Sequence, residues 1–156
     1  MKTVVVLNNI RSNENVGSIF RTCDAAGVSK IILCGYTPAP LDRFNRINNG
    51  LAKAALGAEK FVAWEKEESL QEAIKKLKDG KMERFKIIGI EQDKKAINYK
   101  LLPNDCNLAL VFGNEVEGLS LEDLKLCDSI AEIPMHGEKE SLNVAVAVGI
   151  VLFGLS

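Results

Sequence analysis

Short β-branched runs alternate with stretches of helical period along almost the whole chain, and this alternation most constrains its fold. Strand candidates are Thr3–Leu7, Lys30–Cys34, Lys60–Ala63, Lys86–Ile90, Leu108–Phe112 and Ser129–Ile133. Helix candidates lie between them at Val16–Ala26, Asn49–Leu56, Ser69–Lys78, Leu121–Leu126 and Leu142–Phe153. Such a pattern predicts an α/β fold with a mainly parallel sheet flanked by helices. With 156 residues, one domain over 1–156 is expected, long enough to bury a core without disulfides or metals. Ligands of such sheets sit at the carboxyl ends of strands, so the loops that follow strands carry the most information.

Composition narrows the class further. Hydrophobic residues make up 47% and charged residues 26%, as in ordinary globular proteins. The formal net charge of −1 sets aside a globally basic nucleic-acid binder, while a local basic face does not show in a sum. Cys23, Cys34, Cys106 and Cys127 form no C-x-x-C pair and have no nearby histidine. With no secretory signal at the N-terminus, free thiols in a reducing cytoplasm are expected. The longest apolar run, Val144–Leu155, is too short to span a bilayer, so no membrane segment is expected.

Within the first helix, Val16, Ile19, Phe20 and Cys23 form a core stripe, and Gly27 is placed to end the helix. Leu70, Ala73, Ile74 and Leu77 point inward from the third, with its lysines in solvent. The loop Gly35–Ile47, with Pro38, Pro40, Arg43 and Arg46, is the longest irregular piece and a candidate binding loop.

Three segments can carry chemistry. In Asn13–Thr22, Asn13 or Asn15 can cap the helix. Gly17 removes a side chain on the face of Arg21, leaving room for a bulky partner, and a guanidinium near a helix start suits a phosphate. Arg21 as a surface ion-pair partner is the plainer reading. In Leu108–Ser120, a strand ends at Gly113 and a second glycine follows at Gly118. The spacing resembles a P-loop, but Leu119 stands where that motif needs lysine. Gly113 is expected to let backbone approach a ligand. Glu115 either ties the loop or serves a site. The third segment is Ile133-Pro134-Met135-His136-Gly137, then Ser141-Leu142-Asn143 before an apolar helix. Ser141 is a candidate N-cap, whereas Asn143 in the first turn is harder to assign to structure. A helix apolar on every side belongs in a core or at a subunit interface. His136, the only histidine, has no paired carboxylate or serine motif, and the sequence shows no metal-ligand cluster and no G-x-G-x-x-G fingerprint.

Taken together, the segments resemble the SpoU (TrmH-like) branch of the SPOUT superfamily of RNA methyltransferases. The match is Asn15…Arg21-Thr22, then Phe112-Gly113-Asn114-Glu115…Gly118, then Ile133-Pro134-Met135…Ser141-Leu142-Asn143-Val144, in that order and across essentially the whole chain. The resemblance implies a C-terminal trefoil knot, an exception to the usual absence of knots, and a homodimer. It implies S-adenosylmethionine as cofactor, held by backbone groups at Gly113, Ile133 and Leu142, with Ile90 a weaker match. It implies methyl transfer to a ribose 2′-hydroxyl of RNA, with tRNA favoured over rRNA and no metal. Arg21, Asn15, Glu115, Ser141 and Asn143 are the matching catalytic positions.

A 2′-hydroxyl is a weak nucleophile that must be aligned and relieved of its proton. Arginine rarely deprotonates, so Arg21 is favoured as a phosphate clamp and stabiliser of alkoxide charge, with base action the lesser reading. Many members of that family carry an extra RNA-binding domain or basic extensions; this chain is expected to have neither. Recognition is then expected to rest on Arg43, Arg46, Lys53 and their loop, or on a missing partner. The alternative function is a non-catalytic RNA-binding or cofactor-binding homologue.

Overall fold

The computed structural model describes residues 1–155. Its strands are β1 (Thr3–Asn8), β2 (Lys30–Cys34), β3 (Trp64–Glu67), β4 (Phe85–Ile90), β5 (Ile97–Asn98), β6 (Asn107–Phe112) and β7 (Ser129–Glu132). They form one seven-stranded sheet in the order β3-β2-β1-β6-β4-β7-β5, parallel at every pairing. The helices are α1 (Asn13–Ala26), α2 (Asn49–Ala55), α3 (Leu70–Asp79), α4 (Leu121–Lys125) and α5 (Val144–Gly154). The chain thus adopts the expected α/β class.

Alternate residues of the central strands feed two cores. Val5, Leu7, Ile31, Leu33, Leu108 and Leu110 pack with α1, α2 and α5 on one face. Val4, Val6, Ile32, Ala109 and Val111 pack with α3 and α4 on the other. Both faces are covered, which is why the strands read as continuous apolar runs. The expected core stripe of α1 is fully buried, and Gly27 ends that helix in the left-handed conformation.

Several expectations need correction. The third strand is not Lys60–Ala63. A 3-10 turn occupies Ala58–Lys60, Val62 is buried, and Trp64–Glu67 pairs with β2 instead. As an edge strand, β3 carries charge that a core strand would not tolerate, and Glu65 and Glu67 pair with Lys30 and Lys76. The two residues of β5 are too short to leave a period in the sequence. Ser12 caps α1, accepting the Asn15 N–H at 3.0 Å, because the Asn13 and Asn15 side chains are engaged elsewhere.

Two more corrections concern Gly17 and the start of α5. A Cβ at Gly17 would run into the Leu51 carbonyl and lie 2.7 Å from Ala54 Cβ. That glycine therefore lets α1 and α2 pack closely and opens no room beside Arg21. Asn143, and not Ser141, caps α5, its Oδ1 accepting the N–H groups of Ala145 at 2.8 Å and Val146 at 3.3 Å. Ser141 lies outside the helix and is exposed.

Candidate functional site

The sheet directs its loops to one edge. Residues following β4, β6 and β7, together with the segment leading into α5, enclose a cavity of about 320 Å³. Its apolar wall includes Ile90, Phe112, Ile133, Met135, Leu142 and Val144. Glu91, Glu115, Glu117 and Glu140 supply its charge, and its lining holds no lysine, arginine or histidine. The cavity therefore suits a ligand with an apolar body and a positive group.

The loop after β6 is shaped by its own backbone. A Cβ at Gly113 would lie 2.6 Å from the Gly118 carbonyl oxygen and from Leu119 N. Within the chain, the close approach at Gly113 is to Gly118 and Leu119. Gly118, at φ 67°, sits in the left-handed region and closes the turn by donating to the Asn114 carbonyl at 2.9 Å. Asn114 Oδ1 accepts the N–H groups of Val116 and Glu117 at 2.8 and 3.1 Å. From below, Glu91 accepts the Leu119 N–H at 2.9 Å.

A chain of side chains joins the three segments. Asn143 Nδ2 donates to Asn15 Oδ1 at 3.1 Å, and Asn15 Nδ2 donates to Glu115 Oε1 at 3.5 Å. Glu115 also accepts the backbone N–H groups of Arg11 and Ser12, at 3.2 and 3.3 Å. Partial desolvation pulls its pKa upward. Hydrogen bonds from its own backbone N–H, from Arg11 and Ser12 and from Asn15 outweigh that and hold the carboxyl below its usual range.

The nine expected site residues fall into three groups. Ile90, Gly113, Ile133, Leu142, Glu115 and Ser141 all line the cavity. Asn15 and Asn143 adjoin it through the chain just described. Arg21 stands apart: it is exposed on α1 and is not among the lining residues. The side chains of Arg21 and Ser141 have no hydrogen-bond or ion-pair partner among the described residues, nor do the backbone N–H and C=O of Leu142.

Sequence reasoning missed Glu91 and Gln92, which follow β4 directly; Gln92 Nε2 donates to the Ile133 carbonyl at 2.8 Å. Their position at a strand's carboxyl end was the available signal. Among the described residues, no group of three or more His, Cys, Asp or Glu side chains is arranged to hold a metal ion. No described helix is long and apolar enough to cross a membrane, and all four cysteines are free.

A parallel sheet whose strand-end loops and final-helix cap surround a cavity defines an α/β domain with its cavity at the carboxyl ends of the strands. More particularly, the chain belongs to the SpoU rRNA Methylase family, whose model matches residues 2–153. It is 33% identical over 150 residues to the tRNA (guanosine(18)-2′-O)-methyltransferase of Aquifex aeolicus, covering 96% of this chain and 66% of that protein. The AdoMet-bound rRNA methyltransferase of Sinorhizobium meliloti superposes with a TM-score of 0.86 at 28% identity, over 99% of this chain and 55% of that one. The A. aeolicus TrmH/SpoU tRNA modifying enzyme gives 0.82 at 29% identity, over 99% and 73%. The chain spans less than two thirds of the length of the curated relatives it matches.

Proposed function

We propose that the protein is an S-adenosylmethionine-dependent RNA ribose 2′-O-methyltransferase acting on tRNA. The observation that carries this reading is the coincidence of three separate segments at one cavity: Gly113–Gly118, Ile133–Val144 and the Asn15 end of α1. The relative acting on a tRNA guanosine supports the substrate class, and the AdoMet-bound structural neighbour supports the cofactor.

The residues present fit that cofactor. An apolar wall suits an adenine, the unpaired backbone groups of Leu142 can satisfy its polar edge, and the glutamates suit a cationic sulfonium. When bound, S-adenosylmethionine supplies a methyl group on a positively charged sulfur. The protein's part is to hold Ile90, Gly113, Ile133 and Leu142 against it and to align the ribose. The Ser141 hydroxyl, with no partner among the described residues, is free to bond the ribose. Arg21 clamps a phosphate and steadies the negative charge growing on the 2′-oxygen. Asn15, Asn143 and Glu115 position these groups by fixing α1 against the cavity.

Arg21 does not line its own chain's cavity, and α5 leaves Val146 and Phe153 51% and 55% exposed. Both facts support a homodimer in which Arg21 serves the partner's cavity. A trefoil knot of the C-terminal part and a cytoplasmic location belong to the same reading, the latter in keeping with four free thiols.

The test is methyl transfer from labelled S-adenosylmethionine to tRNA, beside calorimetric titration of the cofactor. Arg21→Ala is expected to abolish transfer while leaving cofactor binding intact. Full turnover by that variant would remove Arg21 from the mechanism, and no cofactor binding by the parent at millimolar ligand would overturn the enzyme reading. Sedimentation gives the oligomeric state directly.

A further inference from the structure

The loop after β2 presents two exposed aromatic rings, and each carries arginine. Tyr36 is 54% exposed, with the Arg11 guanidinium 5.8 Å from its ring centroid. Phe44 is 62% exposed, with the guanidiniums of Arg43 and Arg46 at 4.9 and 5.0 Å. Asp42 binds Arg46 Nε at 2.8 Å, while Arg43 has no ion-pair partner among the described residues.

These rings stand on fixed backbone. The Tyr36 N–H donates to Asn9 Oδ1 at 3.2 Å, and Lys66 Nζ donates to the carbonyls of Gly35 and Thr37 on either side. Thr37 is fully buried, its hydroxyl bonded to the Cys34 carbonyl at 2.7 Å and accepting the Ile10 N–H at 3.1 Å. The Phe44 and Arg46 N–H groups donate to Asp42 at 2.8 and 3.0 Å. A backbone so thoroughly anchored has no structural need to hold its rings in water. Rigid presentation lowers the ordering cost of binding.

Tyr36 is also tied to the cavity. Its hydroxyl accepts from Asn114 Nδ2 at 2.7 Å, and Asn114 opens the loop that lines the cavity. Arg11 is held from the same loop, its N–H bonded to Glu115. Aromatic faces edged by guanidiniums fit a polyanion with splayed bases: the rings stack on bases, and the cations meet the phosphates. A base-paired duplex cannot offer its bases in this way.

We propose that Tyr36 with Arg11, and Phe44 with Arg43 and Arg46, form a stacking platform for unpaired bases of the substrate RNA beside the methyl-transfer cavity. The inference rests on the RNA methyltransferase reading. It names the element of RNA structure recognised, a single-stranded loop, and it adds Tyr36, Phe44 and Arg11 to the contact surface.

The test is fluorescence anisotropy of the full chain with a labelled single-stranded oligoribonucleotide and with the same strand annealed to its complement. The parent is expected to prefer the single strand. Tyr36→Ala and Phe44→Ala are each expected to weaken that binding about ten-fold, with duplex affinity, melting temperature and calorimetric S-adenosylmethionine binding unmoved in Phe44→Ala. Tyr36→Phe keeps the ring and is expected to retain most of the affinity. Ultraviolet crosslinking of the single strand should place nucleotide adducts on Tyr36 or Phe44. Parental affinity in both alanine variants, or equal parental affinity for single strand and duplex, would overturn the platform. If those results came with a parent that binds cofactor and methylates tRNA, the platform alone falls. A parent that does neither takes the underlying reading with it.

Discussion

Two parts of the site are built on opposite terms. The corner formed by Asn143, Asn15 and Glu115 is hydrogen-bonded throughout, from the cap of α5 to the start of α1. The side chains of Arg21 and Ser141 and the backbone of Leu142 lie outside it with no partners among the described residues. Groups already satisfied within the chain hold geometry. Groups left to solvent are available to a ligand without first breaking an internal bond. Under the proposed function, this contrast assigns positioning to the first set and contact with substrate or cofactor to the second, although both sets carry the same family motifs.

The sharpest way to break this comparison is Gly113→Ala. Its new Cβ would press on the backbone of Gly118 and Leu119, which cannot swing aside as a side chain can. Overpacking of this kind costs about 1–3 kcal/mol, so thermal unfolding should show a clear loss of stability together with loss of cofactor binding. Arg21→Ala is its mirror: methyl transfer lost, with stability inside about 0.5 kcal/mol of the parent as for an ordinary surface change.

A finer cut compares two neighbours. Asn143→Ala removes the cap of α5 and is expected to cost about 1 kcal/mol in denaturant melts. Ser141→Ala should leave the melt unchanged within about 0.5 kcal/mol and lower methyl transfer instead. If Ser141→Ala proved the more destabilising, the division between the two parts would fail.

The smallest expected effect is on pH dependence. The folded pKa of Glu115 is depressed, so its contribution to stability is present above the unfolded carboxylate pKa of about 4.3. That contribution fades as pH falls through the lower folded value. Glu115→Gln should therefore lower stability slightly in the neutral region, match the parent at low pH, and so flatten this acid limb of the stability curve. An unaltered acid limb would show that the tether does not depend on charge.

Much of the fold was legible because its signals are local. The α1 stripe Val16, Ile19, Phe20 and Cys23 declares its buried face, and five of the strands announce themselves as apolar runs. Strand β3 was misplaced because an edge strand spends its pattern on ion pairs, and Val62 beside it is buried without being in a strand. The roles of Ser141 and Asn143 were exchanged for a similar reason: both are good caps by residue type, and only the path of the backbone into α5 selects Asn143.

By itself the sequence determined the α/β class, the helices of the core and the residues that gather at the cavity, because periodicity and motif order are written along the chain. Only the tertiary structure decided what those residues meet. Gly17 faces α2, Gly113 faces Gly118, and Asn15 links Asn143 to Glu115. Each of these contacts joins segments brought together by strand order, and strand order is set by packing across the sheet. Nothing in the local pattern of Tyr36 marks it as a neighbour of Asn114; the parallel pairing of β1 with both β2 and β6 places the two loops side by side.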